Sequence, residues 1–121
     1  MNTFRFLLTI VLGAGMILAG IMHFLKTRSY LRIVPEFLPM RMGIIQVSGV
    51  LELLAGIAVL FIPAWRHGAA IFIFWMMIVF LPLHVWDVFR ERPAMGSHVL
   101  ACIRLPVQFL IIAWAWYVAG G

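Results

Sequence analysis

Apolar residues run almost unbroken through four stretches of the chain, residues 4–22, 43–62, 68–88 and 99–118. Each is close to the roughly 20 residues that an α-helix needs to cross a hydrocarbon core of about 30 Å. Barrel strands would alternate apolar and polar side chains, and that alternation is missing. Lipid offers no partner to a free backbone N–H or C=O, so runs this continuous predict helices whose backbone bonds close internally. The expected fold is all-α, a transmembrane four-helix bundle forming one domain over residues 1–121, without a repeat of fixed period. Between the first two runs stands "HFLKTRSYLRIVPEFLPMRMG", too long for a hairpin and too apolar for a free linker. Tyr30, Ile33, Val34, Phe37 and Leu38 are expected to dip into the membrane interface while Lys26, Arg28, Arg32 and Arg41 stay in water. This long interfacial first loop is either a lid over the bundle or a segment without a gating role.

Composition turns the pattern into a class. Of the residues, 65% are hydrophobic and 11% charged, against roughly 45–50% and about 25% in a soluble domain. The net charge of +5 does not point to nucleic acid, because the arginines sit at run ends instead of along a solvated stripe. They do orient the chain. Lys26, Arg28, Arg32, Arg41, Arg90 and Arg92 fall in the loops after runs one and three, with Arg5 and Arg66 on the other side. Basic residues stay in the cytoplasm, so both termini are expected outside. Arg5 followed by an apolar core and "LAG" has the look of a secretory signal, yet nothing soluble follows that would need exporting. Cys102 is the single cysteine, so no internal disulfide or thiol pair is available.

An ionisable side chain at the centre of a membrane helix costs about 2.5–3.5 kcal/mol on insertion scales, so such residues face the bundle interior and mark function. Glu52 lies roughly 16 Å past Arg41 along its helix, and Arg104 and Gln108 share a face about 10 and 16 Å from the loop near Gly96. His84 and Asp87, three residues apart near the end of the third run, also share a face. His23 closes the first run at the same end. Adjacent helices run antiparallel, so all six residues fall in one half of the bilayer. His23, Glu52, His84, Asp87, Arg104 and Gln108 therefore form a candidate small-molecule pocket opening toward loops one and three. Ala19 and Gly20 beside His23, and Ser48, Gly49 and Gly56 beside Glu52, mark interior faces where backbones approach closely. Pro82 and Pro106 free the carbonyls of Ile78 and Cys102 as further acceptors.

Blander roles compete at each position. Asp87 can pair with Arg90 or cap its helix, and Glu52 can pair with Arg104 to fix helix register. Haem held between His23 and His84 is disfavoured, since neither lies in a binding motif and the porphyrin would be half exposed. No metal site is expected. The tryptophans suit interfacial belts, and no nucleophile with its base or phosphate-cradling glycine loop is present.

The order of several short pieces resembles the DoxX-like family of small four-helix membrane proteins. These are His23-Phe24, Ile33-Val34-Pro35, Leu38-Pro39, Ser48-Gly49 with Glu52-Leu53 and Gly56, Pro63 with Arg66, Pro82 with His84, and Arg104-Leu105-Pro106 with Gln108. Glu36 after Pro35 and Asp87 in "PLHVWD" depart from that pattern. The resemblance implies a bacterial inner-membrane protein. Some relatives are linked to thiosulfate:quinone oxidoreduction or to oxidative-stress complexes, and others to assembly of membrane partners. Two readings follow. One is a redox-linked subunit, accessory to a membrane oxidoreductase, whose pocket takes a quinone-like or other small molecule. The other is a non-catalytic scaffold or assembly factor whose polar core is structural. The lipid bilayer is the expected partner in both, with membrane or redox proteins and further copies of the chain beside it; nucleic acid is not.

Overall fold

The structure, a computed structural model, describes residues 2–121, and among these it is helical without strands. Helix α1 spans Thr3–Leu25, and its first turn is closed by the Asn2 side chain, which accepts from the Arg5 amide at 2.7 Å. A one-turn helix α2, Thr27–Leu31, follows almost at once. Helix α3 covers Arg41–Phe61, and a 3-10 turn at Pro63–Trp65 leads into α4, Arg66–Phe89. Helix α5, His98–Val118, starts from a Ser97 cap that accepts from the Leu100 amide at 3.1 Å. Four of these helices are long and apolar enough to cross a membrane, and the chain is a multi-pass membrane protein built as an all-α four-helix bundle. The many exposed Phe, Leu, Ile, Val and Trp side chains, Phe6, Leu54, Val79 and Leu110 among them, form the belt that faces acyl chains.

The helices reach slightly past the apolar runs. Helices α3 and α4 begin on arginines, Arg41 and Arg66, because a long basic side chain snorkels to water while its backbone continues the helix. Both α4 and α5 run on through their internal prolines, Pro82 and Pro106.

Helices α1 and α3 pack backbone against backbone. A Cβ on Gly56 would stand 2.7 Å from the Gly13 carbonyl oxygen and 3.0 Å from the Ile17 nitrogen. One on Gly20 would stand 2.7 Å from the Gly49 oxygen. The antiparallel pairs Gly13–Gly56 and Gly20–Gly49 thus act as a zipper of small residues. The half of the bundle far from loop one is closed by apolar packing, with Val59, Ala70, Ile73 and Ala115 at 0% exposure. Its ends are clasped by Arg66, whose Nε donates to the Val59 carbonyl at 2.6 Å, and by Trp114, whose Nε1 donates to the Leu8 carbonyl at 2.9 Å. Polar residues gather in the other half, and there the bundle is hollow.

Candidate functional site

The glycine zipper fixes where His23 and Glu52 meet. Gly20 and Gly49 hold the two backbones together one turn away, so His23 on α1 and Glu52 on α3, both buried, come to 3.0 Å between Nδ1 and Oε2. This is proximity without a hydrogen bond. The His23 Nδ1–H is aimed at the Ala19 carbonyl at 2.7 Å, and Glu52 Oε2 has no hydrogen-bond partner. Tyr30 of α2 lies over His23 with ring centroids 4.1 Å apart and planes 21° from parallel.

Across the bundle, α4 and α5 supply His84 and Arg104. Arg104 Nη2 donates to Gln108 Oε1 at 2.8 Å, and Gln108 Nε2 donates in turn to the Met77 carbonyl on α4 at 2.7 Å. That clamp orients the guanidinium and leaves Arg104 Nη1 buried with no hydrogen-bond partner among the described residues. His84 Nδ1 is in the same condition. No carboxylate lies within 4.0 Å of Arg104 among the described residues, so the Glu52–Arg104 pair that reach alone allowed does not form. The two side chains start from different helices and Gln108 turns the arginine along its own helix.

His23, Glu52, His84 and Arg104 line one cavity of about 650 Å³, within the range of small-molecule sites. Its deeper wall is apolar, with Leu12, Met16, Met77, Phe80 and Ile111. Its outer wall comes from the first loop, through Lys26, Ser29, Tyr30, Ile33 and Val34. Helix α2 and the residues after it thus form a strap along the outer wall of the cavity, an arrangement common to a lid and to a segment without a gating role. Arg41 donates through Nη2 to the Leu31 carbonyl and, at 2.9 Å, to the Val34 carbonyl. Arg90 Nη1 donates to the Arg32 carbonyl. Burial, and after it the nearby Glu52 charge, raises the Tyr30 phenol above its ordinary value, with Arg104 opposing. The hydroxyl is thus a neutral donor at physiological pH.

Two of the six expected residues stand outside the cavity wall. Asp87, 1% exposed, accepts from the Ala94 amide at 2.6 Å, the Met95 amide at 3.3 Å and Arg90 Nη1 at 3.3 Å. It is a structural acceptor that folds the α4–α5 connection back onto α4, because those amides have no helix to satisfy them. Gln108, 0% exposed, sits behind Arg104 and positions it. The carbonyl recruited on α4 is that of Met77, one residue before the Ile78 carbonyl that Pro82 frees.

Sequence reasoning placed Tyr30 only at the interface and missed its stacking. The available signal was its spacing of seven residues from His23, two helical turns and hence the same face if the helix nearly continues. Ser29 and Lys26 carried no such signal.

A family model described as "Domain of unknown function (DUF8561)" matches residues 12–119, and the chain belongs to that family. The matched span contains every residue of the cavity except Val11. No curated protein and no solved structure matches the chain.

Proposed function

We propose that this member of the DUF8561 family holds a small molecule with a polar, oxygen-bearing head and an apolar body inside the membrane, a quinone-like compound fitting best. The observation that carries the reading is the set of three buried atoms that have no hydrogen-bond partner among the described residues, Glu52 Oε2, His84 Nδ1 and Arg104 Nη1, all in residues that line one cavity. An unsatisfied buried polar group costs about 1–3 kcal/mol, and more if charged. Three around one space are what a guest supplying hydrogen bonds would relieve. Arg104 only donates, whereas His84 and Glu52 donate or accept according to protonation. That combination matches a head that exists both as an acceptor-only dione and as a hydroxyl-bearing diol. The apolar wall from Leu12 to Ile111 suits the rest of such a molecule.

A redox-linked role rests on the DoxX-like resemblance, with Glu52 and His84 placed to exchange protons with the head and an electron-transfer partner supplying the electrons. The same resemblance and the basic loops carry the assignment to a bacterial inner membrane with both termini outside. The competing reading is a scaffold in which the polar core fixes helix register, favoured by the His23–Glu52 approach and the Arg104–Gln108–Met77 clamp.

Titration of the purified protein with a short-chain benzoquinone, followed through tryptophan fluorescence, separates the two. The pocket reading expects saturable binding that Arg104→Gln weakens about tenfold or more, while Glu52→Gln melts no lower than wild type, since it removes a buried carboxylate oxygen that no hydrogen bond compensates. Quinone affinity indifferent to both substitutions, together with a lowered melting temperature, would give the site to the scaffold reading.

A further inference from the structure

A second hollow lies outside the first, with Val34 forming part of both walls. It has a volume of about 710 Å³ and is walled by Arg32, Arg41, Arg90 and Arg92, with Glu36 and Trp86 between them. Four guanidinium groups thus converge from the strap, the start of α3, the end of α4 and the α4–α5 connection. One carboxylate in the wall, Glu36, opposes them. Arg90 is engaged by Asp87 and rests over the Trp86 ring at 4.4 Å, and Arg41 is spent partly on backbone carbonyls. Arg32 and Arg92 are exposed, and among the described residues neither has a carboxylate within 4.0 Å. The buried Arg41 Nε also lacks a partner.

The depth of this hollow says what meets it. It opens where α3 begins and α4 ends, and its surroundings carry large apolar side chains pointing outward, Phe37 at 83%, Met40 at 81% and Phe89 at 80% exposure. Such side chains settle where acyl chains meet headgroups. A basic hollow at that level, on the loop side of a helix bundle, meets anionic phosphates. Guanidinium forks match phosphate oxygens in pairs, which ammonium groups do not.

We propose that the Arg32–Arg41–Arg90–Arg92 hollow binds an anionic phosphate group at the membrane surface. The site uses none of the polar groups of the inner cavity, so it stands whether or not that cavity takes a quinone.

The test is native mass spectrometry of the detergent-purified protein titrated with phosphatidylglycerol or with phosphatidylcholine of the same chains. Phosphatidylglycerol adducts are expected to survive at energies that strip phosphatidylcholine. Arg32→Ala and Arg92→Ala should each weaken phosphatidylglycerol retention about fivefold, the change that corresponds to about 1 kcal/mol per arginine near the surface. Among the described residues neither side chain has a hydrogen-bond or ion-pair partner, so both variants should keep the wild-type circular-dichroism melt; Glu36→Gln should strengthen retention. Inorganic phosphate in excess tells the sources apart. Loss of the lipid adduct would assign the site to the phosphate group alone and persistence to the lipid headgroup, and either sustains it. Equal retention of the two lipids, or an undiminished preference in the Arg32→Ala/Arg92→Ala double variant, would overturn the proposal.

Discussion

Asp87 shows how one residue changes meaning once its neighbours are in place. Its spacing from His84 suggested a shared pocket, yet both carboxylate oxygens are consumed by the amides of Ala94 and Met95 and by Arg90. Removing them strands two backbone donors, so Asp87→Ala should cost about 1–3 kcal/mol for each amide that water cannot reach. Asp87→Asn keeps one acceptor and should cost less. Limited proteolysis between Arg90 and Ser97 measures this, and a cleavage rate in Asp87→Ala equal to wild type would refute the structural role. The pairing with Arg90 was legible, being local in sequence. The bonds to residues seven and eight positions on were not, because they depend on how the chain turns after α4.

Among the elements, the α1–α3 contact is the most sharply defined. At Gly56 an added methyl group meets the Gly13 carbonyl and the Ile17 backbone, neither of which can swing aside as a flexible side chain would. Gly56→Ala should therefore destabilise by about 1–3 kcal/mol as the helices are forced apart. Gly15, with nothing within 4 Å of its Cβ position, provides the contrast. Gly15→Ala should be neutral or stabilising by up to about 1 kcal/mol, through helix propensity alone. Thermal melts of the two variants in one detergent decide it, and equal melting temperatures would contradict a backbone zipper. The small-residue stripes were visible in the sequence because glycine is rare in helices without a packing reason. Their register was not, and the register is what brings Glu52 to His23 instead of Arg104. Side-chain direction around a helix axis depends on the partner helix, and no pattern within one span reveals it.

For the whole molecule, the four membrane-capable helices and the gathering of His23, Glu52, His84 and Arg104 in one half of the bundle were readable from hydropathy, since burying a charge in lipid is too costly to be accidental. Less legible was that the two halves differ in density. One is closed by Val59, Ala70, Ile73 and Ala115, and the other encloses about 650 Å³. Local opening follows packing, so amides in the filled half of α3 and α4 should exchange with solvent deuterium more slowly than those of α2, the C-terminal part of α4 and the start of α5. Adding the quinone should slow exchange in that second group alone. Uniform protection along each span, unaffected by quinone, would mean that the hollow half is neither looser nor occupied.

The strap is tethered through main-chain oxygens, those of Leu31, Arg32 and Val34. Every amino acid presents such an oxygen, so the grip of Arg41 and Arg90 is blind to which side chains the tethered segment displays. Evolution is free to exchange Ile33 or Ser29 for larger, smaller or more polar neighbours while the fastening persists. The cover of the cavity can thus be rewritten residue by residue, with the frame beneath it left alone.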